Sequence, residues 1–183
     1  MFMQLRYLPN IITCIRSVLI LPLLWVLLQQ DYRSAFYLFC FAGLTDGLDG
    51  LLARLFNWTS KFGALMDPIA DKVLLVSSFI ALVYLQKIPF WFASVMIGRD
   101  LWIVLGASLY RYYIGSVTYR PIFISKLNTV LQLSLILLLL VDAGFFSLSP
   151  WIISSLFQLT FVTTVVSAFQ YTWIWGRQAL CNA

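Results

Sequence analysis

Apolar residues occur in six long runs along the chain, and short polar stretches separate them. A helix that crosses a membrane needs about 20 mainly apolar residues, and each run has roughly that length. The predicted spanning helices are residues 11–29, 35–56, 66–85, 89–111, 126–143 and 150–175. The breaks carry turn-forming or charged residues, for example Gln29 to Asp31 and Ser147 to Pro150. The pattern predicts an all-α polytopic membrane protein, a six-helix bundle that forms a single domain over residues 1–183.

The composition supports this interpretation. Hydrophobic residues make up 62% of the 183 residues and charged residues only 10%, whereas soluble domains carry about 25% charged residues. Glu and His do not occur, which excludes a histidine general base and most zinc chemistry. The cysteines, Cys14, Cys40 and Cys181, lack the C-x-x-C spacing of zinc or redox sites.

Basic residues are distributed unequally between the two ends of the predicted helices. If the N-terminus is cytoplasmic, the same side receives Arg6, Arg16, Arg54, Lys61, Arg111, Arg120, Lys126 and Arg177. The opposite side receives Arg33 and Lys87. This positive-inside bias predicts that both termini are cytoplasmic. The net charge of +5 suits anionic lipid headgroups rather than nucleic acid, and the absence of an Arg/Ser-rich leader favours a bacterial inner membrane.

Four aspartates lie in or beside two neighbouring predicted helices. Asp46 and Asp49 are three residues apart, and Asp67 and Asp71 are four apart, so each pair shares a helical face. A short turn joins the helices, so we expect the pairs to face each other near the cytoplasmic side. A carboxylate at membrane depth costs about 2.5–3.5 kcal/mol on insertion scales and usually marks a functional site. Four carboxylates together require cations, and all-oxygen ligands favour magnesium, manganese or calcium.

Other interpretations of this segment remain open. Small residues near the acids leave room for a ligand or simply ease helix packing: Gly47, Gly50, Ala53 and Gly63. Arg54 contacts a ligand or extends its charge to the membrane interface. The aspartates also fit a buried ion-pair network, for which Lys72 is the nearby cation inside a predicted span.

Together these residues form a motif with eight fixed positions, Asp46-x-x-Asp49-Gly50-x-x-Ala53-Arg54-x8-Gly63-x3-Asp67-x3-Asp71. With every position filled, it resembles the signature of the CDP-alcohol phosphatidyltransferase family. The resemblance implies a six-helix membrane enzyme, usually a homodimer, whose active site opens to the cytoplasm. It also implies transfer of a phosphatidyl group from CDP-diacylglycerol to an alcohol, with release of CMP.

The resemblance also assigns roles to the motif residues. Asp46, Asp49 and Asp67 would bind metal, and Asp71 would both bind metal and act as the general base. Two divalent ions, Mg²⁺ or Mn²⁺, would be held against the diphosphate. The residues expected to bind the CDP part are Asp49, Gly50, Ala53, Arg54 and Gly63.

Basic and polar residues in the second half are predicted to bind the acceptor alcohol: Arg99, Asp100, Arg111, Arg120, Lys126 and Asn128. Lys126, Thr129 and Gln132 share a helical face, which indicates a polar cavity in an otherwise apolar helix. Two alternatives stay open. Arg111, Arg120 and Lys126 also fit loop charges of the positive-inside kind, and Arg99 beside Asp100 also fits a structural ion pair.

A closer resemblance concerns the branch of the family. Leu8-Pro9-Asn10 followed by Thr13 and Arg16 is similar to the glycerol-type members, and the segment from Arg120 to Gln132 is most similar to mitochondrial-type cardiolipin synthases. This implies phosphatidylglycerol as the acceptor. Phosphatidylglycerophosphate synthases come next, so glycerol 3-phosphate is the alternative acceptor. Two hypotheses from other classes are a divalent-cation transporter and a catalytically silent membrane scaffold.

Overall fold

The computed structural model describes residues 8–56, 61–113 and 123–182, and within them the side chains of 16–47, 69–106, 108 and 123–174. All regular structure in these residues is helical. The helices are α1 Leu8–Leu28, α2 Tyr32–Phe56, α3 Lys61–Tyr84, α4 Phe90–Tyr113, α5 Phe123–Gly144 and α6 Pro150–Asn182. The predicted all-α class is confirmed for the described residues, with six helices at the six predicted positions.

Each helix is longer than the apolar run that predicted it, and α3 and α6 show the largest extensions at one end. α3 begins at Lys61 instead of residue 66, and α6 continues to Asn182 instead of residue 175. An apolar run ends at the first polar residues, whereas backbone hydrogen bonding continues through them. The sequence pattern therefore underestimates helix length at polar ends.

Within the described residues, two helical stretches are long and apolar enough to cross a membrane, Phe123–Gly144 and Pro150–Ile174. Arg16–Leu28 is a shorter apolar stretch. Charged residues interrupt the apolar runs of α2, α3 and α4. Passage of all six helices through a membrane therefore stays a prediction.

Helices α1 and α3 end in the same backbone motif. Gln30 and Gln86 follow their last turns with φ values of 60° and 58°, in the left-handed region. The Gln30 N–H donates to the carbonyl three residues back (2.9 Å), and the Asp31 N–H donates to the carbonyl five residues back (3.2 Å). Gln86 and Lys87 repeat this pattern at 3.0 and 2.9 Å. These paired bonds satisfy the last helical carbonyls through the backbone alone.

Helix α2 begins with an aspartate cap. Asp31 accepts a bond from the Ser34 N–H (3.2 Å) and another from the Ser34 hydroxyl (2.6 Å). This arrangement satisfies one of the unpaired N–H groups at the start of a helix. Pro150 stands at the first position of α6, where its fixed φ favours helix initiation.

The chain divides into two compact units. The first contains α1, α2, α3 and the end of α5, from Ile136 to Leu148. Both α2 and α3 pack on α1. The buried apolar core of this unit includes Leu23, Leu27, Ala35, Phe39, Leu75, Phe79, Leu82 and Leu140.

The end of α5 is tied to the start of α2 inside this unit. Arg33 Nε donates to the Gly144 carbonyl (2.6 Å), and the Arg33 guanidinium lies 5.7 Å from the centre of the Phe145 ring. A Cβ atom at Gly144 would lie 3.0 Å from the Arg33 backbone nitrogen. Glycine therefore permits this close approach.

The second unit contains α4, the first part of α5 up to Leu135, and α6 from Ser149. Helix α4 packs on α6. Phe92 is fully buried and meets Phe157 edge to face, with ring centres 4.7 Å apart. Met96 and Leu135 complete the buried centre of this unit.

Candidate active site

A single arginine joins three helices in the first unit. Arg16, on α1, has a side chain that is completely buried. Its Nη1 atom donates a hydrogen bond to Asp46 Oδ1 on α2 and lies 3.2 Å from Asp71 Oδ1 on α3. The structure therefore brings together one predicted aspartate from each pair, at a common cation.

The two carboxylates differ from the arginine in their exposure. The Asp46 side chain is 45% exposed and the Asp71 side chain 42%, whereas Arg16 is at 0%. Beside Asp46, a Cβ atom at Gly47 would meet nothing within 4 Å. The guanidinium thus approaches the carboxylates from the protein interior, and their other sides remain accessible.

Arg16 was missed as part of this cluster. From the sequence it counted among the cytoplasmic-side charges, and Lys72 was taken as the only nearby cation inside a span. The structure instead buries Arg16 between Asp46 and Asp71. The available signal was a lone arginine inside the first apolar run.

The remaining motif residues lie outside the described side chains. Their backbones belong to α2 and α3, and the residues are Asp49, Gly50, Ala53, Arg54, Gly63 and Asp67. Their predicted roles in metal and CDP binding therefore stay predictions. Among the described side chains, no group of three or more acidic, histidine or cysteine residues is positioned for a metal ion.

The described carboxylates nevertheless fit a hard divalent ion. Oxygen atoms from two helices reach one cationic atom, Arg16 Nη1, so they converge on a position that holds positive charge. Both carboxylates are accessible from outside, and carboxylate oxygens are the ligands that Mg²⁺ and Mn²⁺ prefer. Asp46, Asp71 and the two undescribed acids of the motif are thus the residues that would hold such ions.

A second buried arginine organises the other unit. Arg99 on α4 is 5% exposed, and its Nη1 atom donates to Asp100 Oδ1 at 2.7 Å. Its Nη2 atom donates to the hydroxyls of Ser125 on α5 (2.7 Å) and Ser167 on α6. These bonds connect all three helices of the second unit.

Asn128 lies in the same unit and is completely buried. Its Oδ1 atom is 2.7 Å from the Thr164 hydroxyl and 3.0 Å from the Thr163 hydroxyl. One turn later, Gln132 is also buried and donates to Met96 Sδ at 3.4 Å. Polar side chains therefore hold α5 against α4 and α6 at this level.

Sequence reasoning did not select the α6 partners of this network. Thr164 and Ser167 are each at most 1% exposed, and buried Thr160, whose hydroxyl donates to the Leu156 carbonyl of α6 itself, lies one turn earlier on the same helical face. That polar stripe on an otherwise apolar helix was a readable signal for buried hydrogen bonding.

The predicted acceptor residues are thus separated by environment. Arg99, Asp100 and Asn128 are buried and their described contacts are with other side chains of the unit, which supports the structural alternative. Lys126 is exposed. The Arg111 side chain and all of Arg120 lie outside the described part of the chain. Acceptor binding by these residues stays a prediction.

Comparison with known proteins assigns the chain to a family. Residues 6–173, which include both clusters, match the CDP-alcohol phosphatidyltransferase family. The chain belongs to this family. The predicted resemblance is therefore confirmed, including its extension over nearly the whole chain.

Relatives within the CDP-alcohol phosphatidyltransferase family carry two kinds of name. The chain is 34% identical to a probable cardiolipin synthase (CMP-forming) of Drosophila melanogaster, over 89% of this chain and 56% of the fly protein. It is 32% identical to the cardiolipin synthase (CMP-forming) of Rattus norvegicus, over 94% and 62% of the two chains. It is also 30% identical to the chloroplastic CDP-diacylglycerol–glycerol-3-phosphate 3-phosphatidyltransferase 1 of Oryza sativa subsp. japonica, over 93% and 59%. The chain thus spans less than two thirds of each relative.

Family membership and the two apolar stretches of α5 and α6 together indicate a membrane protein. Within the CDP-alcohol phosphatidyltransferase match, the acidic motif lies in α2 and α3 of the first unit. The uncharged polar network centred on Asn128 lies in the second unit. The chemistry-bearing residues of the motif are therefore gathered in one of the two units.

Proposed function

We propose that this chain transfers a phosphatidyl group from CDP-diacylglycerol to a glycerol-type alcohol and releases CMP. The observation that carries the proposal is the convergence of Asp46 and Asp71 from two helices at one point, with both carboxylates accessible. These residues are the first and last acids of the motif. Membership of the CDP-alcohol phosphatidyltransferase family supports the reaction class.

The proposed cofactors are two divalent ions, Mg²⁺ or Mn²⁺, held by Asp46, Asp49, Asp67 and Asp71. When bound, such ions neutralise the diphosphate and stabilise the charge on the leaving oxygen. The proposed CDP-binding residues are Asp49, Gly50, Ala53, Arg54 and Gly63. Phosphoryl-type transfer depends mostly on positioning and charge stabilisation, so no covalent nucleophile is required.

Asp71 is proposed to be the general base. Its carboxylate would accept the proton of the acceptor hydroxyl while that oxygen forms a bond to the lipid-bearing phosphorus. The bond between this phosphorus and the CMP oxygen breaks, and CMP leaves with the electron pair. The exposure of Asp71 supports this role, because a base must reach a proton on a molecule that enters from outside.

Phosphatidylglycerol is the proposed acceptor, and cardiolipin the product. The names of the fly and rat relatives support this choice. Glycerol 3-phosphate is the second candidate, because the rice relative is named for that acceptor. Lys126, with Arg111 and Arg120, is proposed to contact the acceptor phosphate, since Lys126 is exposed.

The proposal includes a membrane arrangement. All six helices would cross the membrane of a bacterium, with the termini and the aspartate site on the cytoplasmic side, and the chain would form a homodimer. The two apolar stretches of α5 and α6 support membrane location, and the unequal distribution of basic residues supports the orientation.

The test is CMP release by the purified chain in detergent with CDP-diacylglycerol and Mn²⁺ or Mg²⁺. Phosphatidylglycerol and glycerol 3-phosphate are offered in parallel, and the lipid products are resolved by mass. Asp71→Asn should lower the CMP-release rate by about 10²–10⁴-fold. Asp31→Asn is the matched control, because Asn also caps helices well and Asp31 lies far along the chain from the motif.

The outcomes separate the alternatives. Formation of cardiolipin from phosphatidylglycerol, with no product from glycerol 3-phosphate, supports the proposal in full. Formation of phosphatidylglycerophosphate from glycerol 3-phosphate alone would show that glycerol 3-phosphate is the acceptor. Divalent-ion flux into liposomes without nucleotide, together with no CMP release, would favour a transporter. Unchanged function in Asp71→Asn would contradict the proposed site.

A further inference from the structure

The proposed reaction gives no role to Arg16, although this residue contacts two of the acids it uses. Arg16 Nη1 hydrogen-bonds to Asp46 and lies 3.2 Å from Asp71. Its side chain has no exposed surface. A fully buried guanidinium at the centre of a proposed metal site requires an explanation in terms of that site.

Arg16 contacts two carboxylates at once. Two carboxylates share one guanidinium, so the three side chains carry an excess of one negative charge. An acid-rich cluster of this kind attracts further cations, whereas an ordinary structural ion pair is self-neutral.

Arg16 also occupies a specific position between the acids. The same atom, Nη1, interacts with the Oδ1 atoms of both carboxylates. A divalent ion that bound both oxygens would meet the guanidinium at a distance of a few ångströms. Like charges at that distance repel strongly inside a protein, where the effective dielectric constant is about 20.

Arg16 cannot remove this conflict by losing its proton, because a guanidinium stays charged in proteins. The repulsion between Arg16 and the ion decreases only if the Arg16 side chain loses its contact with one carboxylate, or if the ion binds less tightly. Without either cation, Asp46 and Asp71 would repel each other across α2 and α3.

We infer that Arg16 is an internal counter-cation of the aspartate site, which competes with a divalent ion for Asp46 and Asp71. The inference rests on the proposed function for the presence of that ion. Arg16 is a positioning residue: it holds the two carboxylates together, and it lowers the affinity of the site for metal. Metal binding is therefore coupled to release of a contact between α1 and α2 or α3.

The test measures metal binding and stability without substrate or turnover. Mn²⁺ binding to purified protein is followed by electron paramagnetic resonance, and the thermal midpoint is recorded across a Mn²⁺ titration. In Arg16→Gln, Mn²⁺ should bind at least about tenfold more tightly, since a unit positive charge a few ångströms away is removed. The midpoint without Mn²⁺ should fall, and saturating Mn²⁺ should restore most of the difference.

Two further variants complete the design. Arg33→Gln removes a positive charge from the same unit, where Arg33 bonds to Gly144 and not to the acids, so it corrects for net charge. Mn²⁺ affinity should change less than about twofold in this control, because distant exposed charges are screened.

The second variant, Arg16→Lys, keeps the positive charge but loses the planar guanidinium that can bond to two carboxylates. The Mn²⁺ affinity of Arg16→Lys should therefore lie between those of the wild type and Arg16→Gln. If Arg16→Gln yields no folded protein, Arg16→Lys decides the question.

Failure of this inference and failure of the proposed function give different results. Mn²⁺ binding that depends on Asp71 but is unchanged or weaker in both Arg16 variants would overturn the counter-cation role alone. Absence of Asp71-dependent Mn²⁺ binding in wild type would overturn both, and would identify the cluster as an ion-pair network. Loss of CMP release with normal Mn²⁺ binding would leave the Arg16 inference intact.

Discussion

Among the described side chains, each of the two units buries one arginine, and the two arginines have different surroundings. Arg99 in the second unit is paired with its neighbour Asp100, which is itself buried, and with two hydroxyls. Arg16 in the first unit is paired with two aspartates that lie 30 and 55 residues further along the chain and are more than two-fifths exposed. One cluster is neutral and enclosed, and the other is acid-rich and accessible.

The difference indicates different uses for the same residue type. The buried pair of Arg99 and Asp100, with its two hydroxyl partners, holds the helices of the second unit together. An accessible cluster with excess negative charge is suited to bind cations. Buried arginine alone therefore does not distinguish the two clusters, whereas the exposure and number of the partner carboxylates do.

The largest expected effect is on catalysis in the first unit. Asp71→Asn should lower the CMP-release rate by about 10²–10⁴-fold, the usual contribution of a general base. The thermal midpoint should change little, because Arg16 keeps its bond to Asp46. Initial rates per folded molecule check the first part, and thermal scans check the second. A large drop in thermal midpoint with no loss of rate would mean that Asp71 stabilises the fold and does not act as the base.

The second effect concerns stability in the other unit. Asp100→Asn removes the carboxylate partner of buried Arg99, and breaking such a pair typically costs about 3–5 kcal/mol. Asp46→Asn is the comparison, since it leaves Arg16 with Asp71 and should lower the thermal midpoint less. If Asp100→Asn keeps the midpoint and raises the KM of the acceptor instead, Asp100 binds the acceptor.

A smaller effect is expected away from both arginines, at the close approach of α5 to α2. A Cβ atom at Gly144 would lie 3.0–3.1 Å from backbone and Cβ atoms of Tyr32 and Arg33, so Gly144→Ala should cost about 1–3 kcal/mol of unfolding free energy. Gly43→Ala is the control, because a Cβ atom there meets nothing within 4 Å. The thermal midpoint of Gly144→Ala should be lower than that of Gly43→Ala, and the Mn²⁺ affinity should change in neither variant.

The smallest effect concerns a carboxylate with only a local role. The Ser34 hydroxyl, and then the Ser34 N–H, hold the pKa of Asp31 below its ordinary value of 3.8. Because the folded pKa is lower than the unfolded one, this stabilisation is complete above about pH 4 and is lost as the pH falls through the lowered value. Between about pH 5 and pH 3, the thermal midpoint should therefore fall less in Ser34→Ala than in the wild-type protein. An equal loss in both proteins would mean that other carboxylates dominate this range.

Sequence patterns predicted the six helices, because apolar runs and helix-forming segments coincide. The ends were less accurate at Lys61 and Asn182, since hydrogen bonding continues past the apolar residues. The convergence of Asp46 and Asp71 followed from residue spacing together with the short connection between α2 and α3.

The partners of these residues were not predictable in the same way. Arg16 is a single charged residue in an apolar run, and sequence alone does not show which side of α1 faces α2 and α3. Asn128 was chosen as a candidate ligand-binding residue because it is polar, but its bonds to Thr163 and Thr164 depend on how α6 packs. Long-range pairing between helices, rather than helix formation, is what the sequence pattern leaves open.

The burial of Arg16 also has a consequence for the order in which the protein is assembled. During synthesis, α1 emerges first and carries the guanidinium, while Asp46 follows 30 residues later and Asp71 a further 25. If α1 crosses the membrane as proposed, this lone charge costs about 2.5–3.5 kcal/mol on insertion scales until its partners arrive. In that arrangement, Arg16 would make stable insertion of the first helix dependent on the second and third.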